Sequence, residues 1–248
     1  MEHKDLYGLL GRSLEHSFSQ AYFSDKFRKL KLDAEYRNFE LDDISAIGEL
    51  LEKHAGLRGL NVTIPFKEAV IPFLDEISVS ARSIGAVNTI SFEGSKCIGH
   101  NTDAPAFAES LTALLSEKRI EKALVLGSGG ASKAIQFALA SIDMPFDVAS
   151  TRPEAGQLSY QDLTGDGISQ YGLIVHCTPL GTFPEIDEKI DIPYSGLKRD
   201  QVLYDLVYNP SLSAFLKEGQ KKYCNIKNGQ EMLERQAELA WSIWQSKE

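Results

Sequence analysis

The run Ala123-Leu-Val-Leu-Gly127-Ser128-Gly129-Gly130-Ala131-Ser132 constrains the fold more than any other stretch of this chain. Four apolar residues read as a buried strand, the glycines as a turn, and Ala134, Ile135 and Ala138 then follow at helical spacing. A strand that feeds a helix through a glycine turn is the opening unit of a parallel α/β sheet, whose crossover helix returns the chain for the next parallel strand. Gly127 permits the tight turn, Gly129 lets backbone approach a pyrophosphate, and the helix amino terminus offers N–H groups of partial positive charge. Ser132 stands where dinucleotide-binding turns usually hold Gly or Ala. An ordinary βα turn is the competing reading, so the setting of strand, turn and helix carries the expectation of a dinucleotide.

The end of the next strand sets which dinucleotide. An acidic side chain there would bind the ribose hydroxyls of NAD and repel an added phosphate. The chain reads Val148-Ala149-Ser150-Thr151-Arg152, without a carboxylate. Arg152, with Ser150 and Thr151, offers donors for a 2′-phosphate, which predicts NADP over NAD; a solvated loop arginine is the alternative.

With 248 residues the chain can bury two modest cores, and two domains are expected. No apolar run reaches a membrane span, and the amino terminus MEHKDLYGLLG lacks the basic start and apolar stretch of an export signal, so a cytoplasmic protein is expected. A net charge of −9 argues against nonspecific nucleic-acid binding, which needs a basic surface to displace counterions. Cys97, Cys177 and Cys224 are odd in number and far apart, and His3, His54 and His100 show no ligand spacing, so neither a disulfide framework nor a metal site is expected.

Before position 103 the pattern alternates short strands with helices. Leu6 to Leu10 reads as a strand and Phe23, Phe27 and Leu30 as a helical stripe. Ile44, Ile47, Leu50 and Leu51 mark a helix behind the cap candidates Asp42 and Asp43; Leu60, Val62 and Ile64 alternate as a strand that Pro65 ends. Val87 to Phe92 and Lys96 to His100 pair around Glu93-Gly94-Ser95. A helix with Phe107, Leu111, Leu114 and Leu115 and a charged stretch from Glu117 to Lys122 lead to the strand at Ala123. Phe146 to Ala149, Leu173 to Cys177 and Val202 to Leu206 are further strands of a doubly wound parallel sheet. The last helix, Glu231 to Gln245, carries Met232, Leu233, Gln236, Ala240 and Trp244 on one stripe and is expected to return to the first domain, with Trp241 and Trp244 as packing residues.

Polar clusters gather in the first domain. Ser17 and Ser19 stand at a helix start, where each could cap the helix or, with its N–H groups, bind a carboxylate. Asn61-Val-Thr63-Ile-Pro65-Phe-Lys67 sets two polar side chains opposite Leu60 and Val62, then a lysine behind a proline turn. Gly85-Ala-Val-Asn88-Thr89 and Gly99-His-Asn101-Thr102-Asp103 add amides, hydroxyls and a carboxylate.

Together these segments resemble the shikimate dehydrogenase family through nearly the whole chain. The resemblance runs over Tyr7-Gly8, His16-Ser17-Phe18-Ser19, Asn61 to Lys67, Ile84 to Thr89, Gly99 to Asp103, Gly127 to Ser132, Thr178-Pro179-Leu180-Gly181, Tyr204 to Pro210, Asn228-Gly229, Met232-Leu233 and Gln236-Ala237. It implies an NADPH-dependent reduction of 3-dehydroshikimate to shikimate. In that reading Ser17 and Ser19 hold the substrate carboxylate, and Thr63, Asn88, Asp103 and Gln236 bind ring hydroxyls. Lys67, paired with Asp103, is the acid/base group, and Tyr208 lines the cleft. Gly127 to Ser132, Ser150, Thr151, Arg152, Thr178 and, by its backbone, Gly229 meet the cofactor. The implied division is a substrate domain of residues 1–102 and 230–248 around a nucleotide domain of 103–229. Hydride delivery builds negative charge on the ketone oxygen, and a positioned ammonium can stabilise and protonate it, which is the chemistry expected of Lys67.

The chain departs from the family pattern at Ser13, Gln20 and Ala106, which affect backbone stiffness, and at His176, which replaces a common asparagine, and Thr182, a common methionine. The usual Asn-Arg-Thr clasp is rearranged to Ser150-Thr151-Arg152. A quinate/shikimate paralogue using NAD is disfavoured by the missing acidic residue, and methylenetetrahydrofolate dehydrogenase by the paired serines with Asn101-Thr102-Asp103. A non-catalytic NADP-sensing regulator of the same fold is the remaining alternative. A monomer or homodimer is expected.

Overall fold

The computed structural model describes residues 4–15, 17–54, 56–115 and 120–246. His3, His16 and the charged run 117–119 lie outside them. The chain divides into two units, Met1–Thr102 with Ala237–Glu248 and Asp103–Gln236.

In the first unit β1 (Asp5–Gly11), α1 (Phe18–Leu30), β2 (Ala34–Glu40), α2 (Ile47–Lys53), β3 (Leu57–Val62), α3 (Phe66–Ala69), β4 (Glu76–Ile77), α4 (Val79–Ile84), β5 (Thr89–Glu93) and β6 (Lys96–His100) follow in order. The sheet runs β2-β1-β3-β5-β6-β4. β1 is parallel to β2 and β3, and β5 is antiparallel to β3 and β6. Gly94, at φ 60°, makes the β5–β6 turn that a side chain would strain. Asp43 caps the segment before α2 by accepting the Ser45 N–H at 2.8 Å, and Ile47 and Leu50 are buried behind it.

The expected alternation at Leu60, Val62 and Ile64 is not found. β3 stops at Val62, Leu60, Asn61 and Val62 are all buried, and Ile64 is 59% exposed. A strand paired on both edges inside a covered sheet buries both of its faces.

The second unit contains α5 (Asp103–Leu115), β7 (Ala123–Leu126), α6 (Gly130–Ser141), β8 (Phe146–Ser150), β9 (Leu158–Ser159), α7 (Gly165–Ile168), β10 (Leu173–His176), β11 (Val202–Asp205), α8 (Ala214–Lys221) and β12 (Asn225–Lys227); α9 (Gln230–Gln245) begins in it. Its sheet is parallel throughout, in the order β9-β8-β7-β10-β11-β12. This is the doubly wound arrangement expected, with the strand order reversing between β7 and β10. Neighbouring residues of β11 face opposite layers. Leu203 joins Phe215 and Leu216 of α8, while Tyr204 packs on Phe107 of α5 at 5.0 Å between ring centres and shares a 2.8 Å hydrogen bond with Ser110. Burial pushes the Tyr204 hydroxyl up to about 12.

The last helix returns to the first unit as expected. Ala237, Trp241 and Trp244 join Tyr7, Leu9, Phe23, Phe27 and Tyr36 in one cluster, and the Trp244 Nε1–H donates to the Ile90 carbonyl at 3.0 Å. The division between units falls after Gln236, later along α9 than position 230. The early turns are tied to α5: Arg235 donates to Glu109 at 2.8 Å, and Lys227, paired with Glu231, donates to the Ser110 carbonyl at 2.9 Å.

Candidate active site

The first unit gathers hydroxyls and amides at the carboxyl ends of β1 and β3 and around the ends of β5 and β6. Ser17 occupies the N-cap position of α1, yet its side chain makes no capping bond. Its Oγ is buried and has no hydrogen-bond partner among the described residues. A hydroxyl left so costs about 1–3 kcal/mol, which a bound acceptor would recover. Ser19, the second residue of α1, is buried and hydrogen-bonds Tyr36.

From Tyr36 a chain of hydrogen bonds runs inward. Its hydroxyl donates to Asn61 Oδ1 at 2.8 Å, and Asn61 Nδ2 donates to Thr89 Oγ1 at 3.2 Å. Thr89 donates to Asn88 Oδ1 at 3.1 Å, which also accepts the Thr102 N–H at 2.8 Å, while Asn88 Nδ2 donates to Thr102 Oγ1 at 2.9 Å. Asn88, expected at a ring hydroxyl, thus has much of its amide committed to Thr102 and Thr89. No local sequence signal marks Tyr36, Thr89 and Thr102 as site residues, because their role rests on pairing between strands far apart in sequence.

Thr63 and Lys67 follow β3. The Thr63 N–H donates to the Leu10 carbonyl at 2.9 Å, and the Lys67 carbonyl accepts the Val87 N–H at 2.7 Å, so both strand ends hold this turn. Lys67 is half-buried, on the one-turn helix α3. Asp103 is buried and opens α5 directly after Thr102. Tyr208, after β11, is half-buried, and Gln236 Nε2 donates back to the Leu233 carbonyl at 2.9 Å.

The second unit carries the nucleotide features. Gly127, just past β7, has φ 112°, and a Cβ there would meet Thr178 Cγ2 at 3.0 Å, so both conformation and space require glycine. Gly129 caps α6 without any side-chain bond to the helix, and a Cβ at Gly129 would find open space within 4 Å. The first N–H groups of a 12-residue helix therefore have no side-chain cap at the sheet's switch point, the arrangement that suits a pyrophosphate. Ser128, Gly130 and Ala131 are half-buried around it. Ser132 is fully buried, and its hydroxyl donates to the Gly127 carbonyl at 2.6 Å, so this side chain braces the turn.

Ser150, at the end of β8, is buried beside Gln157, at 3.5 Å, while Thr151 and Arg152 are exposed. Arg152 has no ion pair among the described residues. Gly229 has its own packing demand: a Cβ there would overlap the Leu206 carbonyl, and its N–H donates to the Val207 carbonyl at 3.1 Å. Desolvation, with the nearby Asp205 carboxylate, pushes the thiol of the half-buried Cys177 well up, which argues against a nucleophile.

A buried polar link joins β10 and β11, between residues that no spacing in the sequence brings together. His176 Nδ1 lies 2.9 Å from Asp205 Oδ1, and Nε2 lies 2.6 Å from Thr178 Oγ1. The Asp205 carboxylate also accepts the Val207 N–H at 3.0 Å and the Ser213 hydroxyl. Among the described residues no group of three or more His, Cys, Asp or Glu side chains could hold a metal ion, and no helix is long and apolar enough to cross a membrane.

Residues 9–90 match the family model for the shikimate dehydrogenase substrate binding domain. A shikimate dehydrogenase (NADP(+)) of Carboxydothermus hydrogenoformans is 35% identical over 254 residues, which cover 96% of this chain and 91% of that protein. The structure is similar to that of shikimate 5-dehydrogenase from Thermus thermophilus in complex with NADP(H) and shikimate, with a TM-score of 0.86 and 30% identity over 97% of this chain and 93% of that one. It is also similar to shikimate dehydrogenase from Aquifex aeolicus, with a TM-score of 0.87 and 31% identity over 98% and 92% of the two chains.

Proposed function

This chain belongs to the shikimate dehydrogenase family, and from that membership we infer that it catalyses the reversible NADPH-dependent reduction of 3-dehydroshikimate to shikimate. The structural observation that carries the substrate reading is the buried, unpartnered Ser17 hydroxyl at the start of α1, an orphan donor where an anionic substrate needs one.

In this proposal Ser17 and Ser19 hold the carboxylate, and Thr63, Asn88, Asp103 and Gln236 meet the ring hydroxyls. Tyr208 borders the substrate. The Gly127 turn and the amino end of α6 take the pyrophosphate, Arg152 with Ser150 and Thr151 takes the 2′-phosphate, and Thr178 and the Gly229 backbone border the nicotinamide end. When bound, NADPH supplies the hydride. Lys67 donates a hydrogen bond to the ketone oxygen as negative charge builds there and then gives it the proton; in the reverse direction it receives that proton. Asp103 orients the Lys67 ammonium and a neighbouring hydroxyl of the ring. A cytoplasmic monomer or homodimer completes the reading.

The test is the purified chain given NADP⁺ or NAD⁺ with shikimate or quinate. Reduced nicotinamide should form fastest with NADP⁺ and shikimate. Binding of NADP⁺ without any shikimate-dependent reduction would identify a regulator instead, and a preference for NAD⁺ with quinate would identify the paralogue.

A further inference from the structure

Thr178 leads from β10 into the crevice where the strand order of the second sheet reverses, and its Cγ2 faces the Gly127 turn. Its hydroxyl points the other way. Thr178 Oγ1 lies 2.6 Å from His176 Nε2 and also meets the Leu180 N–H at 3.4 Å. The imidazole is fully buried, with Phe215 against it at 5.1 Å between ring centres. Its other nitrogen faces Asp205, the in-register neighbour on β11, whose carboxylate is in turn held by the Val207 N–H and the Ser213 hydroxyl. A carboxylate cannot donate, so the hydrogen in the 2.9 Å bond belongs to His176 Nδ1. Nε2 is thereby directed at Thr178, and the ring cannot rotate without breaking a buried charge-assisted bond.

We propose that His176 is a positioning residue for the cofactor: held by Asp205, whose carboxylate Ser213 fixes in turn, it keeps the Thr178 hydroxyl turned into the protein, so that the crevice receives the Thr178 methyl and backbone N–H against the Gly127 turn. Thr178 then meets NADP through its backbone and methyl group, not through its hydroxyl. The proposal rests on the NADP-binding reading above and names what shapes that side of the site. Ordering the segment after β10 before the cofactor arrives removes a cost that binding would otherwise bear.

Thr178→Val keeps the methyl and the backbone but deletes the bond to His176. His176→Gln keeps a donor for Asp205 on a side chain of different reach. Each should weaken NADP⁺ binding to the purified enzyme, followed by titration of intrinsic fluorescence, by about tenfold, the loss of one buried hydrogen bond. In steady state the loss should fall on the NADP⁺ KM more than on kcat. The double variant should bind no worse than the weaker single one, because both remove the same link. In the wild-type protein, long-range ¹H–¹⁵N spectra of the imidazole should report the proton on Nδ1. An unchanged Kd in Thr178→Val, additive losses in the double variant, or a ring protonated only on Nε2 would each overturn the inference. If His176→Gln does not fold, Thr178→Val and the spectrum decide. Wild-type protein that does not bind NADP⁺ would instead refute the functional reading beneath it.

Discussion

Gly59 of β3 lies beneath the indole of Trp244, and a Cβ at this position would overlap the ring. The same indole packs on Tyr7 and Phe23 at 5.2 and 5.3 Å between centres, so it can shift only by disturbing these contacts. Gly59→Ala should therefore destabilise the protein by about 1–3 kcal/mol, the usual cost of overpacking a filled core. Urea unfolding of Gly59→Ala, Trp244→Phe and the pair checks this: the double variant should lose less than the sum of the two, because the smaller ring makes room for the methyl.

Ser17→Ala separates stability from binding. Removing a buried hydroxyl without a partner should leave the unliganded protein as stable as before, or more so by up to about 1 kcal/mol. The shikimate KM should rise by about tenfold as a donor to the carboxylate is lost. Thermal melts without ligand and initial rates against shikimate concentration measure the two effects. A large fall in melting temperature would mean that Ser17 serves the fold.

Lys67→Ala should lose about 10² to 10⁴ in kcat, the usual contribution of a positioned acid/base group, with the urea midpoint close to wild type. Turnover near the wild-type rate in a folded Lys67→Ala protein would remove the lysine from the chemistry.

Arg152→Ala tests the cofactor phosphate. A charge-assisted hydrogen bond is worth about 1.5–3 kcal/mol, so the NADPH KM should rise roughly ten- to a hundredfold while the NADH KM stays unchanged. Equal effects on both cofactors would point to the loop's shape instead of the 2′-phosphate.

Burial depresses the pKa of His100, whose Nε2 meets Ser91 Oγ at 2.9 Å in the β5–β6 hairpin. A histidine whose folded pKa lies below its unfolded one favours the folded state least when protonated. Its contribution is therefore present above the unfolded pKa and is lost as pH falls through the folded value. The melting temperature should drop between about pH 7 and pH 5, and more shallowly in His100→Asn. Identical slopes in the two proteins would dismiss His100 as a source of acid sensitivity.

The features legible in the sequence were local. The strand, glycine turn and helix from Ala123 to Ala138 are dictated by neighbours along the chain, and the β5–β6 hairpin by Gly94 between two β-rich runs. β2 is hard to read in the sequence because Glu35, Arg37 and Glu40 interrupt its apolar residues, although Tyr36 and Phe39 are buried. The link from His176 to Asp205 joins residues 29 positions apart that meet only because β10 and β11 pair in register. Ser17 carried two meanings in the sequence, a cap and a ligand for carboxylate. Its buried position without a capping bond argues against the first. Asn88, expected at a ring hydroxyl, is largely engaged by Thr102 and Thr89.

The aromatic cluster around Tyr7 draws on both ends of the first unit, with Phe23 and Phe27 from α1 and Trp241 and Trp244 from the last turns of α9. On a translating ribosome the second unit is made in full before those tryptophans emerge, so it can fold while the first still exposes a ring-lined surface. Exposed apolar surface of this kind favours aggregation, and a stop codon placed shortly before Trp241 would make the exposure permanent.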